Sequence, residues 1–436
     1  MPEENENWKD GLGQKVLDEV DCIVKAFRGS SDRRPEVKAA RNDTGVDHLY
    51  AEGQILVSAS HLDRVLEILG QPPEADLLAG PAGRFRRLTG GVALVTLADP
   101  WPAVQEALAE IDRQLGRGVA TPDHVLTVAT GGMGSMCPAT EPVPAYYETE
   151  PHPSVSGHSD GAGVLVYQAD TGLLDGAGKT HHWLAGVQAE DVDPLPPMLP
   201  GGVQPIPAYT GHGTFVAGVM RSVAPAADVV VTNAFSIAGS QLESDLVTRL
   251  EDELRRGADI FHLSIAARSR HDLPLLAFEQ WLKRLHQTKG SICITPAGND
   301  NSRRPNWPGA FPGVIAVGAL GSDWRSRASF TNFGGWVDVY APGRDLVNAY
   351  ATGAYTCHVA PYAGQTREFY GMAKWSGTSF STPIVTGLIA ARMSRTGENA
   401  AQAAEALLAE ARVQAIPGVG PVLLPDHHHG RPAHAD

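Results

Sequence analysis

The feature that most constrains this chain is a glycine turn that carries a serine and leads into its longest apolar stretch. Residues 375–383 read WSGTSFSTP, and the apolar stretch runs from about Pro383 to Met393. This stretch fits a buried helix and falls short of the roughly 18 apolar residues that a membrane span needs. We therefore expect Ser379 at the N-terminus of a buried helix, where free N–H groups and the helix dipole favour a developing negative charge.

Two further segments place chemically useful side chains where an apolar run begins or ends. Residues 163–172 read GVLVYQADTG, so Asp170 ends a strand-like run. Residues 211–218 read GHGTFVAG, so His212 lies between two glycines at the start of a helix-like run. A serine hydroxyl is a poor nucleophile unless a base and an anion-stabilising site lie beside it. The sequence therefore predicts Asp170 as an orienting acid, His212 as a base and Ser379 as a nucleophile.

These segments resemble the Asp, His and Ser motifs of subtilisin-like serine peptidases, which carry the triad in this chain order. Similar segments at residues 311–318, 329–334 and 341–343 extend the resemblance over roughly residues 160–395. The resemblance implies an α/β fold, a subtilisin-like three-layer sandwich with a mostly parallel sheet. It also implies serine endopeptidase activity through an acyl-enzyme intermediate, with Asp170, His212 and Ser379 as the catalytic triad. Between residues 343 and 377 the chain is longer than in compact family members, which predicts an additional surface hairpin near the site.

The resemblance also supplies an oxyanion hole and walls for the substrate. Residues 291–299 read SICITPAGN, so the amide of Asn299 is the implied oxyanion donor, with the N–H of Ser379 as its partner. Residues 258–267 resemble the strand along which subtilisins align a peptide. The residues implied to line the substrate site are Leu263, Ser264, Ile265, Ala266, Ala297 and Gly298. The family usually has Ser-Leu-Gly where this chain has residues 264–266, so the P1 preference stays open.

A smaller module precedes this region. Apolar periodicity predicts, in chain order, a strand over residues 49–57, a helix over 62–69, strands over 84–88 and 92–97, a helix over 104–115 and a strand over 123–128. The order βαββαβ is that of a small α+β ferredoxin-like domain, and it is also the order of propeptides in subtilisin-like enzymes. We divide the chain into an N-terminal extension (1–45), a propeptide-like domain (46–130), a Gly/Ser/Pro-rich linker (131–161), a catalytic domain (162–415) and a C-terminal tail (416–436).

The likeness of the module to a propeptide rests on topology. It suggests that residues 46–130 act as an intramolecular inhibitor or a folding chaperone, and that the linker at 131–161 is the segment open to cleavage. A permanently attached accessory domain stays open as the alternative, because many functions share this fold.

The overall charge restricts the partners. The formal net charge of −14 argues against nucleic acid and anionic membranes, because both attract clustered Lys and Arg. The expected partner is a peptide or protein substrate. The first ten residues are acidic and lack the apolar core of a secretory signal, so we expect a cytoplasmic location.

No cofactor is expected for the chemistry of this triad, and no metal site is assigned. The four cysteines lie far apart without a CxxC pair, which favours reduced thiols over a zinc site or a disulfide framework. The histidines at 181–182 and 427–429 lack a fixed carboxylate or cysteine partner in the sequence. Structural calcium stays open, because family calcium sites vary and no clustered carboxylate loop stands out.

Two other functions remain to be weighed. A sedolisin-like enzyme shares a Gly-Thr-Ser nucleophile but uses Glu and Asp, and the His212 segment argues against it. A catalytically silent, subtilisin-like peptide-binding module is the other alternative. All four residues of the implied machinery, namely Asp170, His212, Asn299 and Ser379, are present in the chain.

Overall fold

The computed structural model describes residues 19–29, 34–43, 45–79, 84–88, 90–98, 103–128, 139–146, 151–153, 159–288, 290–358 and 361–425. Much of the predicted linker, at residues 131–138, 147–150 and 154–158, lies outside the described residues. The helices are α1 (residues 19–29), α2 (Leu62–Leu69), α3 (Glu74–Ala79), α4 (Val104–Leu115), α5 (Ala177–Thr180), α6 (His212–Val223), α7 (Glu243–Arg256), α8 (Leu276–Leu285), α9 (Thr378–Thr396) and α10 (Ala400–Val413).

The strands of the N-terminal part are β1 (Val37–Asn42), β2 (Gly45–Ser58), β3 (Phe85–Leu88), β4 (Val92–Thr96), β5 (Ala120–Val128) and β6 (Val143–Pro144). The strands of the remainder are β7 (Leu165–Asp170), β8 (Gln188–Ala189), β9 (Pro205–Ile206), β10 (Asp228–Asn233), β11 (Ser240–Leu242), β12 (Ile260–Leu263), β13 (Ile265–Ala266), β14 (Ile292–Pro296), β15 (Val314–Leu320), β16 (Val339–Pro342), β17 (Leu346–Thr356) and β18 (Thr366–Trp375).

The large sheet is parallel and is covered on both faces. Its strand order is β16-β15-β14-β12-β7-β10-β8. Successive side chains point to opposite faces, so Val166 and Ile294 pack with α6 and α9, whereas Tyr167 and Cys293 pack with α7 and α8. Strands buried on both faces read as continuous apolar runs. The predicted three-layer α/β sandwich is confirmed.

The functional side chains predicted from the sequence follow the carboxyl ends of neighbouring strands. β7 ends at Asp170, β12 leads to Ser264, and β14 leads to Asn299. The carboxyl ends of parallel strands meet at the same edge of a sheet, and that edge is where ligands bind in open α/β folds.

The N-terminal domain is an antiparallel sheet, and its own helices cover one face of that sheet. β2 pairs with β1, β4 and β5, and β3 pairs with β4. One face packs Ile55 and Val95 against α2 and α4, and the other packs Leu94 and Leu126 against α8. The α+β ferredoxin-like domain is confirmed, with α3 as a short helix that the periodicity did not predict. β1 joins the same sheet, although its residues fall within the predicted N-terminal extension.

Two connections link this framework to the site. β5 continues the N-terminal sheet into the catalytic domain, where it pairs with β11 and β13. β17 and β18 form the hairpin expected between residues 343 and 377, within a four-stranded sheet of order β6-β18-β17-β9. β18 ends at Trp375, just before Ser379. None of the helices described is both long enough and apolar enough to cross a membrane.

Candidate active site

The acid and the base of the predicted triad meet at the carboxyl end of the large sheet. Asp170 is the last residue of β7, and His212 is the first residue of α6. The Nδ1–H of His212 donates a 2.6 Å hydrogen bond to Asp170 Oδ1, and both side chains are fully buried. Because the carboxylate holds Nδ1 protonated, Nε2 is the imidazole nitrogen that can act as a base.

Asp170 keeps its charge because of its neighbours. Burial alone would raise the pKa of this carboxyl group, but the charge and hydrogen bond of His212 and the N–H of Thr171 hold the pKa below its ordinary value. Thr171 N donates to Asp170 Oδ1 at 2.8 Å. Gln168 Nε2 lies 3.4 Å from Asp170 Oδ2 and also donates to Gly213 O, so it ties the acid to α6. A negative charge is therefore available to stabilise an imidazolium.

Ser379 is the second residue of α9, directly after the Gly377 turn. The ring of the next residue, Phe380, lies 5.4 Å from the ring of His212, which places the start of α9 beside the base. Within the described part of the chain, Ser379 Oγ and His212 Nε2 are buried and have no hydrogen-bond partner. Catalytic hydrogen bonds are often long without substrate and tighten in the reacting complex.

Asn299 is held against the N-terminus of α9 by Thr378. The backbone N–H and the hydroxyl of Thr378 donate to Asn299 Oδ1 at 2.9 and 3.0 Å. The Thr378 hydroxyl in turn accepts from Gly298 N at 3.1 Å. These contacts engage the amide oxygen of Asn299, and the NH₂ group is the only donor on this side chain. Ala297, by contrast, is fully buried and its carbonyl accepts a hydrogen bond from Asn332 Nδ2.

The segment expected to align the substrate is already paired with the N-terminal domain. In β13, Ile265 and Ala266 pair antiparallel with Val128 and Thr127 of β5. β11 pairs with the other side of β5, over residues 125–127. β5 is thus the middle of three antiparallel strands, the arrangement that an extended peptide adopts when it adds to sheet edges.

β5 runs toward the triad. Along β5 the pairing passes from Ala266 to Ile265. The preceding residue, Ser264, donates its backbone N–H to the carbonyl of Ala169, the residue just before Asp170, at 3.4 Å. Ala266 carries a methyl group where the family usually has glycine, and it pairs with the N-terminal strand nonetheless. The side chains of Leu263 and Ile265 pack in the hydrophobic core on the α7 and α8 side, so at these two positions the substrate would meet mainly the backbone.

Asp193 joins the candidate site without any sequence signal that singled it out. Its Oδ2 accepts hydrogen bonds from the N–H of Gly211 at 2.7 Å and the hydroxyl of Thr171 at 3.0 Å. These partners directly adjoin His212 and Asp170 in the sequence. Burial, with the nearby charge of Asp170 adding to it, raises the pKa of Asp193 to about 7 in spite of the two hydrogen bonds. A lone aspartate before a proline-rich loop gave no pattern that could have identified it.

Buried polar groups join the N-terminal domain to the catalytic domain. Asp123 of β5 accepts from the backbone N–H and hydroxyl of Ser244, at 3.0 and 2.6 Å, in the first turn of α7. Arg270 N donates to His124 Nε2, so the Nδ1–H of His124 donates to Glu243 Oε2 at 3.2 Å. Burial raises the pKa of Asp123 to about 7 and lowers that of His124 to about 3. Carboxylates at helix N-termini are favourable placements, because they satisfy free N–H groups.

Metal ligation finds no support in the described ranges. No group of three or more His, Cys, Asp or Glu side chains there is arranged to hold a metal ion. Structural calcium stays open, because backbone and amide carbonyl oxygens also serve as calcium ligands.

Comparisons with known proteins bear on the family of the chain. The model of a family described as the subtilase family matches residues 161–419, more than half of the chain. The chain is 30% identical over 219 residues to a thermophilic serine proteinase of Bacillus sp. strain AK1, covering 48% of each protein. It is 27% identical over 263 residues to an intracellular serine protease of Paenibacillus polymyxa, covering 57% of this chain and 72% of that protein.

The match to solved structures concerns the fold. Fervidolysin from Fervidobacterium pennivorans matches with a TM-score of 0.55 at 17% identity, over 90% of this chain and 63% of that one. The alignment with the Bacillus proteinase, like that with the M-protease of Shouchella clausii, spans about half the length of the relative.

Proposed function

Since this chain belongs to the subtilase family, we propose that it is a serine endopeptidase whose triad is Asp170, His212 and Ser379. The observation that carries the proposal is the buried 2.6 Å hydrogen bond between His212 and Asp170, beside the start of the helix that bears Ser379. Acid, base and nucleophile thus come from β7, α6 and α9, three elements that meet at one edge of the sheet.

The mechanism follows from the roles of these groups. His212 Nε2 takes the proton of Ser379 Oγ as the oxygen attacks the peptide carbonyl, and then gives that proton to the leaving amine. The acyl-enzyme that remains is hydrolysed by water, which loses a proton to the same nitrogen, and Ser379 regains its hydrogen. Asp170 holds the imidazole orientation and stabilises its positive charge. These residues supply the nucleophile, the base and the acid, so we propose that hydrolysis needs no cofactor.

The developing oxyanion needs donors that are in place before the reaction. We assign the Asn299 amide and the backbone N–H of Ser379, which is one of the free N–H groups in the first turn of α9. Thr378 supports both donors, because it precedes Ser379 and binds the amide oxygen of Asn299.

We further propose that the N-terminal domain is an intramolecular inhibitor. β5 occupies the place between β11 and β13 that an extended substrate would take, and it leads toward Asp170. Full burial of Ser379 and His212 supports this proposal, because a substrate carbonyl cannot approach groups without accessible surface. The alternative, a permanently attached accessory domain, predicts that its separation leaves activity unchanged.

The test keeps the full chain until it has folded. A recognition sequence for a specific protease is placed between residues 131 and 138, the purified protein is cut, and the N-terminal part is separated by gel filtration. We expect hydrolysis of a fluorogenic peptide amide and labelling by a fluorophosphonate to rise after separation. The Ser379→Ala variant should show neither, whereas Ser381→Ala, two residues further along α9, should show both. A folded, separated wild type that neither hydrolyses nor labels would favour the silent peptide-binding module.

The setting of the enzyme is also a proposal. The three cysteines in the described part of the chain, Cys22, Cys293 and Cys357, are free thiols. Free thiols persist where the compartment is reducing, which supports the expectation of a cytoplasmic enzyme acting on peptide or protein substrates.

A further inference from the structure

A second segment of the chain lies on the edge of β18, and its contacts reach Ser376, three residues before Ser379. Val143 and Pro144 of β6 pair antiparallel with Lys374 and Ala373. Hydrogen bonds flank this pair on both sides, from Ala145 N to Met372 O at 3.2 Å and from Thr140 N to Ser376 O at 3.4 Å. Residues 140–145 therefore form an added strand on the hairpin that leads directly into Ser379.

The side chain of Glu141 enters a polar pocket on the same hairpin. Its Oε1 accepts from the hydroxyl of Tyr355 at 3.2 Å and from the backbone N–H of His358 at 2.5 Å. Glu141 is only 8% exposed, although glutamate is rarely so buried without a specific partner. Arg367 Nη1 donates to the carbonyl of the next residue, Pro142, at 2.7 Å, so a positive charge lies one residue from the carboxylate.

The direction of the chain distinguishes this segment from β5. β5 approaches Ser264 and Asp170 with its C-terminal end, whereas residues 140–145 run away from Ser376 along β18. A bound substrate needs both directions. Its acyl part runs toward the bond that is cut, as β5 runs toward Asp170, and its leaving part runs away from that bond, as residues 140–145 run away from Ser376. Trp375 Nε1 anchors the start of the second segment through a 2.6 Å hydrogen bond to Thr140 O.

We propose that the β18 edge, with Tyr355 and the N–H of His358, is a binding site for the leaving-group side of the substrate and selects an extended segment that carries an acidic residue. The assignment of sides rests on the proposed endopeptidase function. Glu141 fills the site in this structure as part of the chain itself. Main-chain pairing along β18 provides affinity for any extended peptide, and the pocket provides the choice of side chain.

The binding test does not depend on catalysis. The full chain carries Ser379→Ala to prevent turnover and Glu141→Ala to vacate the pocket. It also carries Ala145→Pro, which removes the hydrogen bond to Met372 O that holds the chain's own segment on β18. Labelled peptides with the sequence of residues 139–146, ATEPVPAY, are compared with the same peptide carrying Gln in place of Glu, by fluorescence anisotropy. We expect about tenfold tighter binding of the Glu peptide, because hydrogen bonds to a charged group are stronger than those to a neutral one. Adding Tyr355→Phe should reduce this ratio to about threefold, while Tyr370→Phe, which changes an exposed tyrosine on the neighbouring strand β18, should leave it unchanged.

Cleavage provides the second measurement. In the Glu141→Ala chain, cut between residues 131 and 138, a proteome-derived peptide library should yield products with Glu or Asp enriched at one fixed distance after the cleaved bond. Equal binding of the Glu and Gln peptides, or a ratio indifferent to Tyr355→Phe, would overturn the subsite. A clear binding preference without hydrolysis of any library peptide would support the subsite and contradict the endopeptidase function, so the two failures are distinguishable.

Discussion

The catalytic domain and the N-terminal domain are held in place by different kinds of contact. The site residues end strands or begin helices of a parallel sheet that is apolar on both faces. The N-terminal domain docks through an apolar face, a strand pairing and buried polar groups, and exposed or partly exposed ion pairs such as Arg304–Asp47 and Arg270–Asp112 surround them. Interfaces between domains that move relative to one another are commonly smaller and more polar than cores. This contrast supports the proposal that the N-terminal domain can separate from the catalytic domain.

The largest effect is expected from a substitution in the catalytic domain. Asn299→Ala removes a donor to the oxyanion and should lower kcat by 10²–10³-fold, the effect known for the corresponding kind of donor in subtilisin. KM should change little, because the interaction forms mainly in the transition state. Steady-state kinetics of the cut and separated enzyme on a peptide amide would measure both constants. Asn301→Gly, an exposed change in the same loop, serves as the control; full turnover by Asn299→Ala would remove the residue from the oxyanion hole.

The two regions also differ in how far the sequence predicts them. Asp170, His212 and Ser379 could be found because a nucleophile, a base and an acid each need a particular residue type at a strand end or helix start, and this need leaves local patterns. Asn299 is predicted only through the family resemblance of its segment, because an Asn after a strand is by itself typical of a turn. Asp193 could not be found, because it acts through the N–H of Gly211 and the hydroxyl of Thr171, contacts that only the folded chain creates.

The docking of the N-terminal domain shows the same limit. The order βαββαβ follows from apolar periodicity and predicts the fold of the domain. The pairing of Val128 with Ile265 and the contact of Asp123 with Ser244 depend on tertiary register, which a single sequence does not contain. The inhibitor proposal is therefore supported by the predicted topology and, independently, by the pairing of β5 with β11 and β13.

The next largest effect concerns the docking of the N-terminal domain. Asp123→Ala leaves the backbone N–H and the hydroxyl of Ser244, at the start of α7, without their acceptor. It should weaken docking by about 1–3 kcal/mol, or roughly 5- to 150-fold. The released N-terminal fragment, added back to the cut enzyme, should inhibit hydrolysis with a correspondingly higher inhibition constant. Asp63→Ala, on the exposed side of α2, is the matched control. An unchanged inhibition constant for Asp123→Ala would show that strand pairing and apolar contacts suffice for docking.

A substitution at Asp193 tests whether the catalytic site extends beyond the four residues that the sequence predicts, namely Asp170, His212, Asn299 and Ser379. Asp193→Ala removes the acceptor that orients Gly211 and Thr171, and we expect kcat to fall by about tenfold, since small misplacements of catalytic groups have large kinetic effects. Asp193→Asn retains an acceptor oxygen and should recover most of that loss. Asp191→Asn, two residues away and partly exposed, controls for general effects on the loop. If Ala and Asn variants lose stability equally but retain kcat, then Asp193 is only structural.

The smallest effect is the pH dependence of docking. Burial in the interface raises the pKa of Asp123 to about 7, whereas in the undocked domain it should return to about 3.9. Because the pKa of Asp123 is higher in the docked state, its proton stabilises docking. This stabilisation is complete below the ordinary pKa and is lost as the pH rises through 7. Burial lowers the pKa of His124 to about 3, so its contribution has the opposite sign and is lost as pH falls below about 6.5.

At pH 6.5 about half of the undocked His124 is protonated, so its loss of charge up to pH 8 strengthens docking by about twofold. Over the same range the docked form of Asp123 loses its proton, which weakens docking by about fourfold, so the two groups together should weaken docking by about twofold. Glu243, whose pKa burial raises to about 8, changes in the same direction. Inhibition constants of the released fragment at the two pH values measure the effect, and Asp123→Asn should reduce it. Tighter inhibition at pH 8 would mean that the interface favours the ionised carboxylate. Asp123 would then be held as a buried charged group, as Asp170 is in the catalytic domain.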